Sequence, residues 1–241
     1  MVLQQLQFIS MVSIYYLLSV ISTGSTSLDK MLGGGVRTGI LTDVFGASSS
    51  GKTQLCFQLC VNCTKPKNKK GLDADALFID ATNNFRPERI ISIARHDGID
   101  DSILDKIYLH KVYSSADQID AIKHIPMMSN LKLVIVDSIS DLFSFEYKQS
   151  LSAEKHMKFM RLMRELALHA INCDIAVVVT NNVRFSDGEQ REYLNRSISS
   201  YTHVKIELSK SNGLFKAKIL QPVLVPSSDF FRITDKGVTD V

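Results

Sequence analysis

Gly46-Ala47-Ser48-Ser49-Ser50-Gly51-Lys52-Thr53 lies between an apolar run at 39–46 (GILTDVFG) and a helix-forming stretch at 52–63. The spacing G-x-x-x-x-G-K-[ST] constrains the fold because it works only as a strand, a tight turn and a helix in succession. The two glycines let consecutive backbone N–H groups converge on one anion, and the helix start adds the positive end of its dipole. Lys52 is expected to reach the β- and γ-phosphates of a nucleotide, and the Thr53 hydroxyl to hold Mg²⁺. The three serines add donors or simply loop flexibility. The residues expected to touch the nucleotide are Gly46, Ala47, Ser48, Ser49, Ser50, Gly51, Lys52, Thr53 and Gln54.

Such a unit needs a sheet around it, and the chain supplies one. Apolar runs at 74–80, 106–112, 131–137, 175–182 and 203–210 follow the first. Helical stretches at 52–63, 87–97, 116–125 and 152–171 fall between them, the alternation of βαβ units on a largely parallel sheet. Runs at 214–221 and 230–234 are separated by short turns and predict an antiparallel C-terminal addition. On the helix at 152–171, Phe159, Leu162, Met163, Leu166 and Ala170 share a face for burial. Lys155, Lys158, Arg161 and Arg164 recur every three residues, drift around that helix and fit a solvated face. The run at 131–137 ends in Asp137, at the strand end where α/β sheets bind ligands. A carboxylate there coordinates Mg²⁺ directly or through water, so Thr53 and Asp137 form the expected metal pair.

Bulk properties narrow the classes. At 241 residues with 45% hydrophobic and 22% charged residues, the chain fits one large α/β domain and excludes disordered and collagen-like classes. The formal charge of +3 is too mild to argue by itself for a polyanionic partner. Cys56, Cys60 and Cys63 sit near one helix face without a fourth ligand or a knuckle spacing, which favours burial over metal. The absence of a disulfide pattern points to a reducing compartment. A nearly uncharged stretch at 8–21 is too short to span a bilayer and lacks a signal-peptide pattern. The expected organisation is therefore a docking or interaction segment at 1–21 and a core at 22–241, with no membrane association. The basic loop KPKNKK at 65–70 is expected to be solvated.

The segments STGSTSLDKMLGGGVRTGILTDVFG, SSGKTQLCFQL, IDATNNFRPERI, LVIVDSISDLF, LSAEKHMKFMRLMRELA, AVVVTNNV and FFRITDKGVTD together resemble the ATPase core of the RecA/RadA recombinase superfamily. The similarity covers about 20–241 and is strongest to the archaeal and eukaryotic branch, including RadB-type and other paralogues. It implies a RecA-like P-loop core that binds ATP and Mg²⁺. Arg89 would stack on adenine, which a planar guanidinium suits. Gln221-Pro222 falls where the family caps a neighbouring subunit's nucleotide, with the usual acid missing before Pro222. The helix–hairpin–helix domain that precedes the core in full-length members has no counterpart here. The family's subunit-linking Phe-x-x-Ala peptide is matched only by Phe8 in FISM, where Met11 replaces the small residue.

Two departures bear on catalysis. Where the family reads IDTEG, this chain reads IDATN, so Thr82 stands at the place of the water-activating glutamate. The γ-phosphate sensor reads Thr180-Asn181-Asn182, so Asn182 keeps an amide on a side chain one methylene shorter. Losing a general base costs on the order of 10²–10⁴-fold in rate. Asp80, two residues before Thr82 on the same strand side, is the candidate to orient water instead; a purely structural strand-end carboxylate is the other reading.

The family's two DNA loops are shortened here. The first, 143–155, keeps Lys148 and Lys155; the second, 183–200, keeps Arg184, Arg191 and Arg196 with Phe185 and Tyr193. Basic residues with interleaved aromatics suit a single strand's backbone and bases. The mixed charges of 183–200 suit a solvated loop equally, and the resemblance favours DNA. The expectation is an ATP-binding recombinase paralogue with weak or absent hydrolysis, assisting homologous recombination and repair. It would contact single-stranded or branched DNA and either a recombinase partner or its own copies, in the cytoplasm on the nucleoid, or in the nucleus of a eukaryote. The rivals are an active DNA-dependent ATPase that catalyses strand exchange and a KaiC-like regulator that does not bind DNA.

Overall fold

The computed structural model describes residues 18–147, 152–186, 189–222 and 227–241. The chain opens with β1 (Val20–Ile21), α1 (Thr26–Met31), β2 (Val36–Arg37), β3 (Leu41–Gly46) and α2 (Lys52–Thr64). It continues through β4 (Asp75–Asp80), α3 (Pro87–His96), β5 (Ile107–Lys111), α4 (Ser115–Lys123), β6 (Leu131–Asp137), α5 (Asp141–Glu146) and α6 (Ser152–Asn172). It ends with β7 (Ala176–Ser186), β8 (Glu189–Glu192), α7 (Asn195–Ser199), β9 (Val204–Ser211), β10 (Leu214–Gln221), β11 (Ser227–Thr234) and β12 (Gly237–Thr239).

The sheet runs β12-β11-β10-β9-β3-β7-β6-β4-β5, with β8 pairing only to β7. From β9 to β5 every neighbour is parallel, and from β9 to β12 every neighbour is antiparallel. This is the expected mixed architecture. β3 is buried along its whole length, and β6 at all but one residue, as parallel strands covered on both faces must be.

Alternate residues sort into two cores. Ala76 and Phe78 pack with Leu55, Leu59 and Ile90 of α2 and α3, and with Phe215 and Phe231 of the C-terminal strands. Leu77 and Ile79 pack on the other face with Ile122, Phe159, Leu162 and Met163 of α4 and α6. Period-two burial on the strands and the 3–4 spacing on α6 therefore produce the helix–sheet–helix sandwich directly. Lys158, Arg161 and Arg164 face solvent as expected, whereas Lys155 is half-buried.

α2 is covered on nearly all sides, which explains its three cysteines. Cys56, Cys60 and Cys63 are free and buried, and burial holds the Cys63 thiol up at about 12. β1 and β2 form a small ribbon, and Ile21 is part of the first core. Residues 1–17 of the 1–21 segment lie outside the described residues. No described helix is long and apolar enough to cross a membrane.

One local expectation needs correction. The stretch after the sensor strand is not a plain loop: β7 continues to Ser186 and pairs antiparallel with β8, placing Arg184 opposite Arg191. The polar composition of this ribbon hides it.

Candidate nucleotide site

The cleft opens beyond the C-terminal ends of β3 and β6 and beside Asn182 of β7, on the side of the sheet where α/β folds bind ligands. A cavity of about 560 Å³ is lined by Ser48 through Gln54, Thr82, Asn84, Asp137, Ser138, Asp141, Asn182, Phe215 and Ile233. The P-loop can sit so close to the sheet only because it has glycines at its two turns. A Cβ on Gly46 would come within 2.1 Å of the Leu208 carbonyl oxygen. Gly51, at φ +98°, begins α2 in a left-handed conformation that disfavours any side chain.

Lys52 Nζ donates to the carbonyls of Gly46 (2.8 Å) and Ala47 (2.9 Å), so its ammonium lies across the cradle. Burial lowers its pKa, while Asp137 and then Asp141 oppose that shift. The hydroxyls of Ser50 and Ser138 are buried and have no hydrogen-bond partner among the described residues. Orphaned donors beside a buried cation fit a polyphosphate.

Thr53 Oγ1 donates to Asp137 Oδ2 at 2.7 Å, and Thr180 Oγ1 donates to Asp137 Oδ1 at 2.5 Å. Burial raises the Asp137 pKa; the Thr180 and Thr53 bonds pull it back, and Asp80 adds to the rise. A hydroxyl and a carboxylate oxygen in contact are the hard donors Mg²⁺ prefers. Bound there, the ion would neutralise phosphate charge, and Thr53 and Asp137 are the residues that would hold it.

The opposite wall differs. Asp80, paired in register with Asp137, is 1% exposed and does not line the cavity. Its Oδ1 accepts from Thr82 N (3.0 Å), Thr82 Oγ1 (3.2 Å) and Asn84 N (3.2 Å), and its Oδ2 from Phe85 N (3.0 Å). Phe85 anchors the other end of this loop by packing its ring 5.0 Å from Phe78 and 5.7 Å from Phe57. Asp80 therefore shapes the loop that presents Thr82 to the cavity. Asn182 does line the cleft, and its Nδ2 donates to both oxygens of Asp141, at 2.9 and 3.2 Å. Asp141 was not singled out from sequence, nor were Ser138, Phe215 and Ile233.

A buried polar chain leads away from this wall. Asn181 Oδ1 accepts from Ser140 Oγ at 2.5 Å, and Asn181 Nδ2 donates to Glu192 Oε1 (2.9 Å) and the Tyr193 carbonyl (2.7 Å). Glu192 in turn contacts Lys205 at 2.5 Å, and Lys205 lies 3.3 Å from Asp43. Arg89 is fixed by Gln54 Oε1 (2.7 Å) and by the carbonyls of Thr234 (2.5 Å) and Asp235 (3.1 Å), so it joins the cleft-lining Gln54 to the C-terminal strands. Pro222 is exposed just past β10, outside this cavity.

Of the basic candidates, Lys155 and Arg184 converge on Tyr193. The Arg184 guanidinium stacks 3.8 Å from the ring centroid, and Lys155 Nζ is 3.0 Å from the hydroxyl. Arg191 and Arg196 are exposed nearby on β8 and α7. Lys148 lies outside the described residues. Among the described residues no cluster of His, Cys, Asp or Glu forms a separate metal site.

A family model described as Rad51 matches residues 16–241, which includes the P-loop, the Asp137 strand, the sensor strand and the antiparallel C-terminal strands. Its match takes in nearly the whole chain, and with this geometry it assigns the protein to the Rad51 family.

Proposed function

We propose that this chain fills the recombinase-like ATPase role of its family as an ATP-binding paralogue that turns ATP over slowly at most. In that role nucleotide acts chiefly as a conformational ligand, favouring whichever state binds it better. The observation that carries the reading is the contrast across one cleft. The Lys52–Thr53–Asp137 grip is complete. On the facing wall stands Thr82, a hydroxyl that cannot take a proton at neutral pH, and the neighbouring Asp80 is saturated by its own loop.

DNA contact is part of the proposal. Arg184 and Arg191 are register partners across an antiparallel pair, which sets two cations side by side on the ribbon, where an anionic backbone can run past both. Tyr193 beside Arg184 adds an aromatic of the kind on which bases stack. A partner recombinase or a second copy is the proposed neighbour for β5, the edge strand, which exposes Tyr108 and Leu109 and is followed by exposed Tyr113.

The test is a titration with fluorescent ATP and Mg²⁺, paired with turnover measured with and without single-stranded DNA across a salt series. The expected result is tight nucleotide binding, turnover little changed by DNA, and DNA affinity that falls steeply with salt. Robust DNA-stimulated hydrolysis would instead favour an active recombinase, and absent DNA binding would favour a regulator.

A further inference from the structure

Any hydrolysis in this cleft needs an acceptor for the attacking water's proton on the γ-phosphate side. Two carboxylates line the cavity, Asp137 and Asp141. Asp137 accepts from Thr53 and Thr180 and is the residue proposed to hold the metal, whose charge would suppress its basicity. Asp80 lies behind the wall with both oxygens given to loop donors. Thr82 has no basicity to offer.

Asp141 is placed differently. It opens α5 immediately beyond the Asp137 strand, and β6 lies beside β7 in the sheet. That adjacency brings Asp141 beside β7, where its carboxylate meets the Asn182 amide at 2.9 Å on the cavity wall. The Asn182 bond leaves lone pairs on both carboxylate oxygens available to water.

We propose that Asp141 is the catalytic carboxylate of this cleft, orienting the attacking water and accepting its proton. The inference rests on the ATP reading above and deepens it. The water oxygen bonds to the γ-phosphorus while the bond from that phosphorus to the β,γ-bridging oxygen breaks. The water's proton passes to an Asp141 oxygen, and the bridging oxygen leaves with its electron pair on ADP. Because the same carboxylate also holds the Asn182 amide, its basicity toward water is reduced, which is consistent with slow turnover.

The experiment uses the full chain with Mg²⁺·ATP and compares Asp141→Asn and Asp141→Ala by single-turnover hydrolysis and by fluorescent-ATP titration. Both substitutions should lower the rate by on the order of 10²-fold while nucleotide affinity stays within about threefold. An active Asp141→Asn protein beside a dead Asp141→Ala protein would overturn the proposal, because Asn keeps a carbonyl for the Asn182 bond and Asp141 would then merely position that amide. Tighter ATP binding with unreduced turnover in both variants would overturn it too, showing a carboxylate that only repels phosphate. An unsubstituted protein that binds ATP without measurable turnover overturns the Asp141 role and leaves ATP binding standing. Failure to bind ATP overturns both.

Discussion

The two walls of the nucleotide cleft are built from opposite materials. The P-loop wall combines one buried ammonium, backbone N–H groups, orphaned hydroxyls and a hydroxyl–carboxylate pair. The facing wall is a web of side chains that satisfy one another: Asp80 with its loop, Asn182 with Asp141, and Asn181 with Ser140 and Glu192. The first wall keeps two partnerless hydroxyls and an ammonium beside the cavity, whereas the second has its side chains largely bonded to one another. Under the proposed reading, gripping phosphate and activating water are separable properties, and this chain retains the first more fully than the second.

The largest effect should come from breaking the grip. Lys52→Ala removes the only cation among the cavity-lining residues, so ATP affinity should fall by at least about 10²-fold, whereas Asn182→Ala should change it by about threefold or less. Equal losses in a fluorescent-ATP titration would break the contrast between the walls. Next in size is the reverse experiment. Thr82→Glu returns a proton acceptor to the cavity and should raise turnover by on the order of 10²-fold. That gain should be largest in an Asp141→Asn background, where Asp137 is the one carboxylate left among the described cavity-lining residues. No gain in either background would mean that position 82 does not face the attacking water.

The same contrast governs what could be seen in the sequence. The grip was legible because a phosphate cradle depends on local spacing: Gly46, Gly51, Lys52 and Thr53 lie within one turn, and Asp137 ends an apolar run. The fold was legible for a related reason, since burial on both faces leaves unbroken apolar strands such as 131–137. Much of the second wall joins residues more than forty positions apart, Asp141 with Asn182 and Ser140 with Asn181. In sequence Asp141 is only the end of a polar turn, DSISD. It becomes a site residue because β6 and β7 are neighbours, a pairing no local pattern discloses. Asp80 shows the converse: the apolar run placed it at a strand end on the side of Thr82, but did not disclose that its own loop would fold back and occupy it.

The smallest expected effect lies where the second wall's polar chain ends. Asp43 and Lys205 are register partners on β3 and β9, and Glu192 approaches the same ammonium, so two buried carboxylates share one cation. Burial, and then the Glu192 charge, hold the Asp43 carboxyl well above the usual range, although Lys205 opposes both. The unfolded chain loses that proton near pH 3.9. Above that pH the folded state binds a proton that the unfolded state has released, so stability falls as pH rises toward the folded-state value. Asp43→Asn removes the linkage and leaves a one-to-one Lys205–Glu192 pair. Wild type and variant should melt alike near pH 4, with the variant gaining as pH rises until it leads by about 1–2 kcal/mol at neutral pH. For a chain of this size each kcal/mol is about 2–4 °C in Tm. A variant less stable at every pH would show that Asp43 serves Lys205 as a full ion-pair partner. The second wall would then end in a fixed charge network that its proton does not regulate.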